Sequence, residues 1–260
     1  MSGHSKWSTI KHKKAINDAK KGKVFSKVSV QITHAARQGG GDPSMNPSLR
    51  MYIDKAKDVG FPIDKIEKAI NKGTGEGSEG VVFDDSTYEG FGPFGIQIMV
   101  DTLTDNKNRT VADLRKIFED IGGNMGGNGS VSWNFDIKGL VVIKCGHMEE
   151  PEKYGGDEKY VAEDTEEIML KVIELVGVLD LQEIDIDGEK GLEIYTEYNK
   201  LASVRDKISE LGYILIEAEL VKEAKMKKDL NEVELQKARE SLERLEDNDD
   251  VQSVWSNLKE

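Results

Sequence analysis

GIQIMVDTLTDNKNRTVADLRKIFEDIGG, residues 95–123, contains the change of period on which the fold turns. GIQIMVDTL (95–103) is an apolar run of strand length. From Asn106 the apolar residues Val111, Leu114, Ile117, Phe118 and Ile121 return at three- and four-residue spacing, which is one face of a helix, and Gly122-Gly123 ends it. Downstream, SVSWNF (130–135) and GLVVIKC (139–145) read as strands joined by a tight turn at Asp136–Lys138. The polar stretch 146–163, with Pro151 and Gly155-Gly156, reads as an exposed loop. A helix over about 164–176 follows, then LQEIDI and LEIYT around an Asp187-Gly188 hairpin turn. A helix over about 199–211 ends at Gly212 and leads into the strand YILIEAELV (213–221). A charged helix over 231–245, anchored by Val233, Leu235, Ala238, Leu242 and Leu245, precedes the closing strand VQSVWSN (251–257).

The element order is β-α-β-β, then α-β-β-α-β, then α-β. Short connections of this kind favour helices packed on antiparallel sheets. The economical parse lets the final α-β complete the first β-α-β-β as a split βαβ, ferredoxin-like fold. That places a discontinuous α/β domain at 81–145 and 224–260, with a second α/β domain, 146–223, inserted in it.

Upstream the pattern is all-helical. Residues 9–21 have weak apolar spacing on a basic surface, with Gly22 expected to end or kink that helix. From Lys23, the residues Val24, Phe25, Val28, Ile32, Ala35 and Ala36 form a clear stripe, stopped by Gly39-Gly40-Gly41. Asn46 as N-cap and Pro47 at the first helical position start the next helix, striped by Leu49, Tyr52, Ile53, Ala56 and Val59. After Pro62 comes a third, with Ile63, Ile66, Ala69 and Ile70 inward and Gly73 as stop. Residues 1–75 are thus read as a helical domain, and the glycine-rich segment 73–80 as a linker. The whole is an α+β multidomain protein: a helical N-terminal domain plus two α/β sandwich domains.

The 260-residue length agrees with more than one domain. One cysteine, Cys145, excludes a disulfide framework and any multi-cysteine metal site, and points to a reducing, cytoplasmic location. No run approaches the ~18 apolar residues that a membrane-spanning helix needs, and no secretory signal opens the chain.

The net charge of −13 conceals a division. Residues 1–75 hold 15 Lys+Arg against 6 Asp+Glu, a net of +9, and residues 76–260 hold 21 against 43, a net of −22. Lys6, Lys11, Lys13, Lys14, Lys20, Lys21, Lys23 and Lys27 fall within 22 residues, with Asp18 the one acid among them. A solvated helix face normally mixes signs. Eight like charges repel one another, and a polyanion that neutralises them releases its counterions. Nucleic acid is therefore the expected partner, with His12, Arg37 and the exposed aromatic Trp7 joining these lysines as candidate contacts. Lysine contacts phosphate and does not read sequence.

Other motifs carry less. GFGPFG (90–95) matches G-x-G-x-x-G, but a strand follows it where a dinucleotide site needs a helix N-terminus, and Pro93 removes an amide. It reads as a tight turn entering a strand. Asp185, Asp187 and Gly188 lack the twelfth-position glutamate of a calcium loop. The pair Asp84-Asp85 has no partner group nearby in sequence, and the histidines have no metal-type spacing. No catalytic residue, metal or cofactor is expected. Asn106, Lys107, Asn108 and Arg109, at a helix start, are candidate phosphate contacts, with simple N-capping an equal reading.

Met1–Trp7 (M-x-G-H-S-K-W) and Ile10–Lys14 (IKHKK) resemble the opening of the YebC/PmpR family, which includes the mitochondrial translational activator of cytochrome c oxidase. The resemblance continues through AARQGGGDPSMNPSLR (35–50), KAINKGTGEG (68–77), YEGFGPFG (88–95), TDNKNRT (104–110), GSVSW (129–133) and LEDNDDVQSVWSN (245–257). It implies a helical N-terminal domain, two α/β domains with the second discontinuous, no enzyme activity, and regulation of gene expression. The family is described as DNA-binding transcriptional regulators and is also tied to translation on the ribosome, so DNA and ribosomal RNA both stand as expected partners. A motif that begins at Met1 favours the bacterial cytoplasm over the mitochondrion. The loop at 146–163 is longer than the family pattern. A different class of function, a protein–protein scaffold with acidic domains, is the alternative.

Overall fold

A computed structural model describes residues 18–75, 83–149, 159–186 and 188–259. The chain divides into two compact units, residues 1–135 with 224–260, and residues 136–223.

The helical part of the first unit is built from α1 (Asp18–Gly39), α2 (Pro47–Asp58) and α3 (Ile63–Thr74). Val28, Ile32, Ala35, Ala36, Leu49, Ala56, Phe61, Ile66 and Ala69 form its core. Phe25 meets Phe61 edge-on, with ring centroids 5.2 Å apart. α1 runs through Gly22 without the expected break. One glycine costs a helix about 1 kcal/mol, and the apolar stripe that follows outweighs it. Asn46 caps α2 as expected: its side chain accepts from Leu49 N–H at 3.0 Å and donates to the carbonyls of Ala35 and Gly40 at 2.8 and 2.9 Å. The stop expected at Gly73 falls two residues later, at Gly75, whose φ of 87° only glycine adopts freely. Gly73 serves packing instead, because a Cβ there would lie 2.4 Å from the Thr33 carbonyl of α1.

The first sheet begins with β1 (Asp84–Phe91), a strand that the sequence reading misses. DDSTYEGF offers only Tyr88 and Phe91 as large apolar residues, too few to set a period. Pairing with β2 (Gln97–Thr104) makes it a strand: the two form an antiparallel hairpin from Asp84↔Thr104 to Phe91↔Gln97. GFGPFG is the tight turn of that hairpin, and Phe94 sits there at φ 58°. α4 (Lys107–Asp120), β3 (Asn124–Met125), α7 (Glu232–Glu246) and β10 (Val251–Ser256) complete the layer. Strand order is β10-β2-β1-β3. Ile96, Ile98, Val100, Leu114, Phe118, Ala238, Leu245 and Val251 fill the space between sheet and helices. The final α-β thus returns to the first sheet, as its element order predicts.

Two expectations between these elements fail. SVSWNF is not a strand: Ser132–Asn134 form a short helical turn. The turn expected at Asp136–Lys138 is absent, and β4 (Phe135–Lys144) runs straight through it. β4 pairs antiparallel with β8 (Glu189–Glu197), from Lys138↔Glu197 to Lys144↔Gly191. The strand expected to finish the first domain therefore belongs to the second sheet, where Val141 and Ile143 share a core with Leu192 and Ile194.

The second unit adds the ribbon β5 (Gly146–Glu149) and β6 (Lys159–Ala162), then α5 (Thr165–Ile173), β7 (Val178–Ile186), β8 (Glu189–Glu197), α6 (Leu201–Glu210) and β9 (Ile214–Ala224). With β4 counted as its first strand, this unit has chain order βαββαβ and spatial order β7-β8-β4-β9, a split βαβ arrangement. The stretch read as a loop is partly ladder: β5 and β6 pair antiparallel from Gly146↔Ala162 to Glu149↔Lys159. Residues 150–158 lie outside the described residues.

Candidate nucleic-acid interface

Of the expected contacts, Lys6, Trp7, Lys11, His12, Lys13 and Lys14 lie outside the described residues. Lys20 and Lys21 fall in the first turns of α1, with only their backbone described. Lys23 and Lys27 are already engaged. Lys23 Nζ lies 3.1 Å from both the Asp247 carboxylate and the Asp247 carbonyl, and Lys27 Nζ donates to the Glu246 carbonyl at 2.6 Å. Both ammonium groups thus satisfy the C-terminal end of α7, where a helix presents unpaired carbonyls and partial negative charge. Arg37 stands in the last turn of α1, beside a shallow cleft of about 410 Å³ that it lines with Lys72, Gly40, Gly73, Thr74 and Gly75. Two helix C-termini meet at this cleft, so its basic residues complement helix dipoles before they serve any anion.

The helix start at 106–109 is similarly occupied. The Asn106 side chain accepts from Arg109 N–H at 3.1 Å, an N-cap bond. Arg109 Nη2 lies 3.0 Å from both oxygens of Asp250 and 3.1 Å from Asp105, and hydrogen bonding to Asp250 raises its pKa further. The Thr110 hydroxyl donates to Asp250 at 2.7 Å. Lys107 Nζ stands 3.4 Å from Asp84, whose carboxyl the Ser86 hydroxyl holds below its usual range. Three carboxylates around one helix start oppose an incoming phosphate, and the geometry is that of a capped, charge-balanced turn.

A cluster that sequence reasoning missed lies at the far end of the same sheet. Glu89 on β1 is 6% exposed, and its carboxylate accepts the backbone N–H groups of Gly129, Val131 and Ser132 at 2.9, 2.7 and 2.8 Å. Burial raises its pKa, and the amides of Val131, Gly129 and Ser132 more than cancel this, so the carboxyl sits below its ordinary value. These bonds take the amides that a strand over 130–135 would need, which is why that segment turns instead. The turn leaves Trp133 53% exposed, with its indole N–H donating to the Ser130 carbonyl at 3.1 Å. Asn134, 1% exposed, donates to Gln97 Oε1 at 2.6 Å and the Met226 carbonyl at 3.0 Å, and accepts from Met226 N–H at 2.8 Å. Asn257 accepts from Gln97 N–H at 2.8 Å through its side chain and from Lys228 N–H at 2.6 Å through its carbonyl. The segment 225–228 is therefore pinned by two asparagines. Lys225 Nζ reaches the Trp133 carbonyl at 3.4 Å.

No periodicity argument finds Glu89, because its partners lie 40 to 43 residues away. The one available signal is a glutamate beside Gly90 at a strand end, and that is weak. The segments YEGFGPFG, GSVSW and LEDNDDVQSVWSN nonetheless meet here, through Glu89, Gln97 and Asn257.

Cys145 is 1% exposed and burial pushes its thiol pKa up, the opposite of an activated nucleophile. Tyr195 is raised by burial and by Glu193 beside it. Among the described residues, no group of three His, Cys, Asp or Glu is placed to hold a metal, and no helix is long and apolar enough to cross a membrane.

Comparison with known proteins places this architecture. A conserved hypothetical protein from Aquifex aeolicus, known from its crystal structure, matches with a TM-score of 0.80 and 38% identity, over 98% of this chain and 96% of its own. A protein of Geotalea uraniireducens named "Probable transcriptional regulatory protein" is 44% identical over 258 residues, 99% of this chain and 96% of the relative. One of the same name from Dictyoglomus turgidum is 42% identical with the same coverage. Residues 5–76 match the family description "TACO1/YebC protein N-terminal domain", and residues 83–258 match "TACO1/YebC second and third domain". With both descriptions matched in order along nearly the whole chain, the protein belongs to the TACO1/YebC family.

Proposed function

We propose that this protein is a non-enzymatic, cytoplasmic regulator of gene expression that binds nucleic acid through its basic N-terminal segment. The observation that carries the reading is the charge division, +9 in residues 1–75 against −22 in the remainder. A protein so divided is attracted to a polyanion at one end and repelled along the rest, which orients it on its target. The names of the relatives support regulation of transcription, hence DNA. Trp7 among lysines favours a second target, unpaired RNA on the ribosome, because an indole stacks on a base that a duplex keeps stacked.

The engagement of Lys23 and Lys27 by α7 narrows the contact to the lysines ahead of them. Three or four lysine–phosphate contacts from Lys11, Lys13, Lys14 and the Lys20–Lys21 pair correspond to a slope of log K against log salt of roughly −2 to −4. Replacing Lys11, Lys13 and Lys14 by Glu in the full-length protein weakens binding to DNA and RNA of any sequence and flattens that slope. Unchanged affinity and slope in fluorescence anisotropy would favour the scaffold reading, in which the lysines only solubilise. Trp7→Ala separates the two targets: a larger loss on single-stranded RNA than on duplex DNA selects RNA, and an equal loss selects DNA.

A further inference from the structure

We propose that Trp133, with Lys225, Lys227 and Lys228, forms a second, pre-built contact that stacks an unpaired base of a single-stranded nucleic acid. The inference rests on the nucleic-acid reading above and adds a site within the acidic part of the chain.

Three observations carry it. Trp133 is 53% exposed although the loop that bears it is held from within by Glu89 and by Asn134. Such a side chain is presented to solvent in a fixed place, so a ligand that stacks on it pays little ordering entropy. The neighbouring segment Lys225–Lys228 has three lysines in four residues, inside a region that is otherwise strongly acidic. Its backbone is tied down by Asn134 and Asn257; Lys225 N–H donates to the Asn134 carbonyl at 2.8 Å, and Lys225 Nζ lies 3.4 Å from the Trp133 carbonyl, which brings the start of the segment to the residue that carries the indole. The lysines make other contacts too; what the site needs is their combined positive field.

The third observation is what else surrounds the segment. Met226 is 56% exposed, and Phe94, 38% exposed, is held at φ 58° in the hairpin turn. An L-residue in the left-handed region is strained, and such strain persists only where surrounding structure imposes it. Lys228 Nζ lies close to this turn: a Cβ placed on Gly95 would be 3.2 Å from it. Exposed apolar and aromatic groups interleaved with lysines match a ligand that alternates flat apolar bases with phosphates. Asp229, which follows Lys228, is paired with Lys259 at 2.9 Å.

The test uses the full-length protein and three probes: fluorescein-labelled 12-mers of uridylate and of thymidylate, and a 12-base-pair duplex. Trp133→Ala is expected to weaken binding of both single strands by roughly 5- to 100-fold in anisotropy titrations, with little change on the duplex. Trp133→Phe keeps a stacking ring and should recover most of the affinity. A selective loss on uridylate marks RNA as the source, and an equal loss on both strands marks any single strand. In a variant with Trp7→Phe and Trp255→Phe, the remaining indole fluorescence should be quenched as single strands saturate the protein. If Trp133→Ala binds single strands like the unsubstituted protein, the proposal is wrong. The Lys11, Lys13, Lys14 triple substitution, run alongside, separates the two readings. Binding lost on that variant and intact on Trp133→Ala leaves the N-terminal contact standing and removes this one. No binding of any probe to the unsubstituted protein removes both.

Discussion

Two basic clusters lie at opposite ends of the first sheet, and they are built in opposite ways. At the start of α4, Lys107 and Arg109 are matched side chain to side chain, by Asp84, Asp105 and Asp250. At Lys225–Lys228 the backbone is held by Asn134 and Asn257, and the Lys225 ammonium reaches the Trp133 carbonyl. A run of cations in a sequence has the same composition in both cases. What such a run can do depends on which groups hold it in place, and these come from residues far along the chain.

The largest effect expected on this comparison is at Glu89, the support under the second cluster. Glu89→Ala leaves three loop amides without an acceptor and should cost about 3 kcal/mol in denaturant unfolding. Glu89→Gln keeps one acceptor oxygen and should cost less, with a pH signature. A carboxyl whose folded pKa lies below its unfolded value of about 4.3 contributes fully above that pH and loses the contribution as pH falls through the depressed folded value. The stability gap between the unsubstituted protein and Glu89→Gln should therefore be constant from about pH 5 to 7 and shrink below about pH 4. A gap that does not vary with pH would mean the carboxylate charge is not what holds the loop.

The next effect belongs to the first cluster. Asp250→Ala removes the acceptor of both Arg109 and Thr110 and should destabilise by about 1–2 kcal/mol. A double-mutant cycle with Arg109→Ala should return a coupling of about 1 kcal/mol or less, because the guanidinium is half exposed. Asp250→Ala also sharpens the contrast. If carboxylates alone keep the α4 start from binding anions, inorganic phosphate should stabilise this variant more than the unsubstituted protein in thermal unfolding, as for any ligand of the native state. Equal stabilisation of both would show that the helix start has no latent affinity.

The smallest effect is at Lys23. Its pair with Asp247 is exposed on both sides, and Lys23→Ala should change stability by less than about 0.5 kcal/mol. A loss above 1 kcal/mol would show that α1 depends on its tie to α7 far more than an exposed ion pair allows.

Much of the molecule was determined by sequence alone. The cap at Asn46, the stripes of α1, α2, α3 and α4, the hairpin of β7 and β8 around Gly188, and the return of the last α-β to the first sheet all follow from residues within a turn or two of one another, or from a simple element count. The charge division needs only counting. The tertiary structure decided what no local window contains. β1 is a strand because β2 pairs with it. β4 belongs to the second sheet because Val141 and Ile143 find Leu192 and Ile194 there. Residues 129–134 turn because Glu89 takes the amides of Gly129, Val131 and Ser132, and Gly22 passes within a helix because a packed stripe outweighs one glycine. Capping and periodicity are short-range preferences of about 1 kcal/mol or less per residue, legible from neighbours. Sheet membership, buried carboxylate–amide bonds and charge neutralisation are pairings between residues tens to more than a hundred positions apart, and only the folded chain brings them within 3 Å.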